Sequence, residues 1–131
     1  MVTQLHPGDW NPSDDTGDFG ETASISGDGQ TMTVGHPGDQ GAGLSPRAPP
    51  LIAGSESTGA VYVYRLTNSW KLFNMIKPNY AKSRGFGEVT TLSGSGKTLV
   101  VGVPGESSRA QGIDGDWANT GSIGSGALFV Y

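Results

Sequence analysis

Residues 19–38 read F-G-E-T-A-S-I-S-G-D-G-Q-T-M-T-V-G-H-P-G, and residues 86–105 read F-G-E-V-T-T-L-S-G-S-G-K-T-L-V-V-G-V-P-G. More than half of the aligned positions are identical, at an offset of 67 residues (19 to 86). The same offset relates G-A-V-Y-V-Y at 59–64 to G-A-L-F-V-Y at 126–131. A period kept without insertion over this distance indicates a repeat protein, in which each unit buries its apolar face against a neighbour.

The composition favours short strands joined by tight turns. Of 131 residues, 22 are glycine and 8 are proline, and only 34% are hydrophobic. Glycine and proline at this density leave little room for helices, so we expect an all-β fold.

Composition also excludes several functions. The net charge of −4 disfavours binding to nucleic acids and to anionic membranes. No apolar run reaches the roughly 20 residues that span a bilayer, so no membrane insertion is expected. The absence of cysteine excludes disulfides, thiolate metal sites and a cysteine nucleophile. The first residues do not resemble a signal segment.

Alternation of apolar and polar residues between turn signals predicts eight strands. They come as one, then four, then three: Val2–Pro7; Thr22–Ser26, Thr31–Gly35, Val61–Tyr64 and Lys71–Ile76; Val89–Leu92, Thr98–Gly102 and Ala127–Tyr131.

Four-stranded units repeated in this way are typical of β-propeller blades, of which closed rings contain 4–8. Residues 1–7 are then an orphan outer strand, residues 19–78 a complete blade, and residues 86–131 a blade that lacks its outer strand. We expect residues 2–6 of one chain to complete the last blade of a neighbour, so that head-to-tail contacts close a ring. A trimer would have six blades and a tetramer eight. The alternative is a fragment of a longer propeller.

The motifs resemble the FG-GAP repeat of integrin α-subunits and of bacterial surface proteins. The resemblance rests on Phe19-Gly20, the S-G-D-G turn at 26–29, T-V-G-H-P at 33–37 and the strand at 59–64, each of which has a counterpart in the second copy. The long loop 105–125, with G-I-D-G-D at 112–116, resembles the loop of the bacterial branch.

The resemblance implies a propeller, an extracellular or cell-surface location, and the binding of proteins or glycans. By analogy with the family, Phe19 and Phe86 begin the innermost strands and Trp70 packs in a core. This sequence departs from the family in two ways. Neither long loop has the calcium motif D-x-D-x-D-G-x-x-x-D, and the chain has two blades where integrins have seven.

Aromatic residues in polar loops are the strongest candidates for a ligand site. Trp10, Tyr80 and Trp117 lie among Gly, Asp, Asn and Ser, where an exposed ring suits the C–H face of a sugar. We predict a sugar site at Trp117 together with Asp114, Asp116 and Asn119. The alternative is that these rings fill the gap between blades.

Acidic clusters raise the question of calcium, which prefers 6–8 oxygen ligands. Asp14, Asp15 and Asp18 are weak candidates because too few ligands stand at the usual spacing, and solvated loop acids are the alternative. We therefore predict no resident cofactor, with calcium at this cluster as the exception.

Two further motifs are interpreted as structural. S-G-S-G-K-T at 93–98 lacks the first glycine of a phosphate-binding loop, since Thr91 stands there, and it falls on a hairpin turn. His6 and His36 each open an H-P-G-D tetrapeptide, but no nucleophile accompanies either of them. The chain is therefore expected not to be an enzyme.

The leading prediction is a carbohydrate-binding or adhesion module, in which the ring repeats a weak loop site and so gains avidity. The alternative is a structural or assembly propeller that binds proteins and no sugar.

Overall fold

The computed structural model describes residues 3–6, 18–40, 58–78, 85–116 and 121–131, and all statements below concern these residues. They contain seven strands: β1 (Ala23–Ile25), β2 (Thr31–His36), β3 (Ala60–Leu66), β4 (Trp70–Ile76), β5 (Val89–Leu92), β6 (Leu99–Val103) and β7 (Ala127–Val130). The described residues form no helix, and so none that could cross a bilayer.

The strands form two antiparallel sheets. The first sheet has the order β1-β2-β3-β4, and the second sheet has the order β5-β6-β7. Gly35 pairs with Val61 in the first sheet, and Gly102 pairs with Leu128 in the second, so the 67-residue offset is kept in the strand register. The prediction of an all-β fold is confirmed. Seven of the eight predicted strands are present, with ends that differ by up to two residues.

Turn chemistry explains why both copies form a hairpin at the same place. Gly29 has a φ of 67° and Gly96 a φ of 69°, a backbone conformation that favours glycine. In the first turn the Ser26 hydroxyl donates to Asp28 Oδ1 at 2.6 Å. In the second turn Thr98 N donates to Ser93 Oγ at 3.1 Å. The stretch that resembles a phosphate-binding loop is therefore the β5–β6 turn.

Two apolar cores hold the sheets. The first core lies on one face of the first sheet and contains Val34, Ala60, Tyr62, Tyr64 and Met75, with Leu5, Phe19, Met32 and Trp70 packed against it. The second core lies between the sheets and contains Val61, Phe86, Leu99, Val101 and Val103, with Ile76, Leu92 and Phe129 packed against it. Burial of Trp70 against a core agrees with the sequence prediction.

The edge strands β1 and β5 lie side by side and join the two sheets. Thr22 Oγ1 lies 2.8 Å from Thr90 Oγ1, and Leu92 N donates to Ser24 Oγ at 3.0 Å. Each of these pairs joins positions 68 residues apart, which is one repeat and one further residue. The second copy therefore packs against the first through matching strands.

Residues 3–6 lie against the first core. Leu5 packs on it, and the Tyr64 hydroxyl donates to the carbonyl oxygen of His6 at 3.2 Å. These residues pair with none of the seven described strands, and the ends of the predicted orphan strand, Val2 and Pro7, lie outside the described residues.

Candidate functional site

Hydrogen bonds join the two ends of the long loop after β6. Gly126 N donates to the carbonyl oxygen of Glu106 at 3.0 Å, and the Ser125 hydroxyl donates to that of Ser108 at 2.8 Å. Ser107 adds two contacts, accepting from Ser122 N at 3.2 Å through its carbonyl and from Gly124 N at 3.2 Å through its hydroxyl. The chain therefore leaves and re-enters the sheet at one place.

The middle of this loop presents exposed side chains. Asp114 and Asp116 are exposed, and Asp114 has a φ of 54°. Ile113 is 95% exposed and places an apolar side chain beside these carboxylates. The predicted partners Trp117 and Asn119 lie outside the described residues. Two of the four residues predicted to bind sugar are thus on the surface of one loop.

The other predicted ligand residues are only partly described. Trp10, Tyr80, Asp14 and Asp15 lie outside the described residues. Asp18 is exposed, with a φ of 73°. Within the described ranges, no group of three or more His, Cys, Asp or Glu side chains is placed to hold a metal ion.

A buried polar cluster lies at the end of the first sheet. We call it the Asp39 cluster, and it consists of His36, Asp39, Tyr62 and Lys77. The Tyr62 hydroxyl donates to Asp39 Oδ2 at 2.5 Å, and the Lys77 ammonium forms a close ion pair with Asp39 Oδ1. His36 Nδ1 lies 3.4 Å from Asp39 Oδ2. Asp39 thus links the segment after β2 to β3 and to the end of β4.

Aromatic rings cover this cluster. The Phe19 ring lies edge-on to His36 at 5.7 Å and to Tyr62 at 5.4 Å between centroids. The side chains of Asp39 and Lys77 are 7% and 2% exposed. An ion pair removed from water in this way stabilises the fold and does not bind a substrate, because a substrate has no access to the carboxylate.

The surroundings of Asp39 shift its pKa. Burial by itself raises the pKa of Asp39, but the nearby His36 ring, the charge of Lys77 and the hydrogen bonds from Lys77 and Tyr62 together outweigh it. The pKa of this carboxyl is therefore held well below its usual value of 3.8. The ionised form is stabilised by folding, so its contribution is present above about pH 4 and is lost as the pH falls further.

We expect this to be measurable as acid sensitivity. Below pH 4, the free energy of unfolding should fall more steeply in the wild type than in Asp39→Asn/Lys77→Met, by up to about 1.4 kcal/mol per pH unit. Denaturant titrations between pH 2 and 6 measure this difference. If the free energy of unfolding changes with pH in the same way in both proteins, Asp39 is not the source of the acid sensitivity.

Glu106 stands at the repeat position of Asp39 (39 + 67 = 106), since P-G-D and P-G-E end the matching motifs. Glu106 is 2% exposed, and its carboxylate accepts from Ser108 N at 2.8 Å and from the Ser108 hydroxyl at 2.9 Å. Asp39 was considered in the sequence only as part of the H-P-G-D tetrapeptide, interpreted as structural, and Glu106 was not singled out, although an acid repeated after P-G was the available signal. The counterpart of Tyr62 is Phe129, which offers no hydroxyl.

The second sheet leaves one edge and one face uncovered. Among the described strands, β7 pairs only with β6. On the face turned away from the first sheet, Val89 is 52%, Leu128 73% and Val130 69% exposed. The matching face of the first sheet, which includes Val61, is covered by the second sheet. We call this uncovered surface the open face.

Comparisons with protein-family models, with curated proteins and with solved structures find no significant match. The FG-GAP resemblance therefore stays a prediction from the repeated motifs.

Proposed function

We propose that the chain is a non-enzymatic binding module that forms two blades of an oligomeric propeller. The support is the repetition of one sheet topology at a 67-residue offset and the packing of β1 against β5. In repeat proteins the interface between two neighbours recurs along the array. Three or four chains joined head to tail then make a ring of six or eight blades.

The proposal assigns ligand binding to the loop after β6. The observation that carries this assignment is the exposure of Ile113, Asp114 and Asp116 on a loop fastened at its ends. A fixed loop with apolar and acidic groups side by side suits a sugar, whose C–H face needs apolar contact and whose hydroxyls need acceptors. Trp117, the next residue, would supply the ring on which the sugar stacks.

Repetition of this site around the ring increases its apparent affinity for a multivalent glycan. Each chain contributes one loop after β6, so a ring presents three or four copies. Binding of several copies to one branched or surface-bound glycan raises the apparent affinity by 10²–10⁴ without new contacts. The family resemblance supports an extracellular or cell-surface location, where such glycans occur.

A protein-binding function is the second candidate. The exposed Val89, Leu128 and Val130 form an apolar surface of the kind that contacts other proteins. In this case the open face contributes to assembly, and no sugar is bound.

A glycan array tests the first candidate. We expect the wild type to bind at least one glycan class and Trp117→Ala to lose tenfold or more, because a stacked ring is worth about 1.4 kcal/mol or more. Asn68→Ala, in the exposed β3–β4 turn, is the matched control and should bind like the wild type. No hit for the wild type, or equal binding by Trp117→Ala, would leave the protein-binding function.

A further inference from the structure

Glu106 is a buried acid with no cation beside it in the part of the chain that the structure describes. Its carboxylate contacts only Ser108 among the described residues, whereas Asp39 at the matching position is paired with Lys77. A buried carboxylate is costly unless a cation or several donors balance its charge. Two hydrogen bonds leave acceptor positions of Glu106 unused, since a carboxylate offers about four. A positive partner would balance the charge of this carboxylate and use the remaining acceptor positions.

The first sheet shows where that partner comes from. Lys77 follows the last residue of β4, the outer strand, and reaches back to Asp39. The second sheet has no fourth strand among the described residues, and no described strand pairs with the outer edge of β7. The cation for Glu106 would therefore lie just after a strand added to β7.

Residues 3–6 have the placement of such an outer strand. Leu5 packs against the first core as Ile76, 71 residues later, packs against the second core. Ile76 is the last residue of β4, the outer strand of the first sheet. It packs against the core that this sheet shares with the second sheet, which follows it in the chain. Leu5 accordingly occupies the position of an outer strand from a sheet that would precede the first. By the same offset His6 corresponds to Lys77.

We infer that the N-terminal segment of a second copy pairs with β7 and that its His6 lies against Glu106. This inference rests on the proposed head-to-tail assembly and specifies its register. The first sheet pairs Val61 with Ile76, Tyr62 with Met75 and Val63 with Asn74. The equivalent intersubunit pairs are Leu128 with Leu5, Phe129 with Gln4, and Val130 with Thr3.

Side-chain lengths agree with this pairing. In the first sheet a long base, Lys77, meets a short acid, Asp39. In the proposed contact a shorter base, His6, meets a longer acid, Glu106. Pairing of the N-terminal segment with β7 would bury the exposed His6 and would give the outer edge of β7 a hydrogen-bonding partner. The second copy would thereby supply the cation that is not found beside Glu106 among the described residues.

Cross-linking tests the register, and the chain has no native cysteine to interfere. Cross-strand neighbours lie about 4.5–5.5 Å apart between Cα atoms, within the range that a disulfide spans. Under a mild oxidant, Thr3→Cys/Val130→Cys should therefore form intermolecular disulfides up to the mass of the ring. Thr3→Cys/Val89→Cys is the control, because Val89 is exposed on the same face but three strand spacings, about 14 Å, from the added strand.

Charge variants test the His6–Glu106 contact. We expect His6→Gln and Glu106→Gln each to raise the protein concentration at half-assembly about tenfold, and the double variant to raise it no further. His6→Lys, which copies Lys77, should keep assembly at the wild-type concentration or below. Circular dichroism of each variant below its assembly concentration checks that the chain is folded.

The outcomes separate this inference from the proposed assembly. Intermolecular disulfides in the Val130 variant alone, with non-additive charge effects, support it. An oligomer of three or four chains in which both cysteine variants cross-link equally, or neither does, overturns the register and leaves the assembly standing. A disulfide confined to single chains overturns the role of the second copy. A monomer at all concentrations overturns both.

Discussion

The variant Lys77→Met should lose about 3–5 kcal/mol of the free energy of unfolding, since it leaves Asp39 buried without its cation. The Lys77 side chain is 2% exposed, so water cannot replace the lost charge. The Tyr62 hydroxyl remains hydrogen-bonded to the carboxylate, but it carries no formal charge that could replace that of Lys77. Denaturant unfolding at pH 7 and one fixed protein concentration measures the change.

Lys71→Met is the matched control for this prediction. Lys71 lies on the same strand, β4, but is exposed, so its loss should change stability by no more than about 0.5 kcal/mol. The double variant Asp39→Asn/Lys77→Met should recover much of the loss because no unpaired charge stays buried. A loss below about 1 kcal/mol in Lys77→Met would contradict the structural role of the pair.

The second large effect is expected for Gly35→Ala, at the contact between the sheets. A Cβ atom on Gly35 would overlap with the carbonyl oxygen of Gly87 and would lie 2.8 Å from Thr22 Oγ1. The oxygen belongs to the backbone, so the second sheet would have to move. Overpacking of this kind costs about 1–3 kcal/mol, and a rigid neighbour places the cost at the upper end. Thermal and denaturant unfolding measure it.

Gly94→Ala supplies the control for Gly35→Ala. A Cβ atom on Gly94 meets nothing within 4 Å, and its φ lies outside the region that favours glycine. We expect a change within about 0.5 kcal/mol. Equal losses in the two variants would mean that the sheets do not approach each other at Gly35.

The strands were predictable because their causes are local. The turn at residues 26–29 and its copy at 93–96 have Gly29 and Gly96 at the positions where φ is positive, and apolar alternation continues on both sides. Repetition at a fixed offset then indicated that both copies form the same sheet. The register of β2 with β3 and of β6 with β7 agrees with that expectation.

The Asp39 cluster was not predictable, because its members are distant in the chain. Lys77 is 38 residues from Asp39 and comes into contact only when β4 pairs with β3. The same H-P-G-D tetrapeptide occurs at residues 6–9 and 36–39, so the local sequence predicts the same environment for both histidines. In the folded chain His36 is buried beside Phe19, while His6 is exposed.

The candidate ligand loop was predictable in part. Polarity predicted that Asp114 and Asp116 are exposed, and both are. The fastening of the loop by Ser107, Ser108 and Ser125 was not predicted, because serine hydroxyls donate or accept according to the neighbours that folding brings to them. Whether this loop binds a sugar stays a prediction.

The mass of the assembled protein tests the central claim most directly. Sedimentation equilibrium or native mass spectrometry of the 131-residue chain should give three or four times the chain mass of 13.5 kDa. The mass should fall to that of one chain on dilution. A compact monomer at all concentrations, or a dimer that does not grow, would contradict a ring closed by head-to-tail contacts.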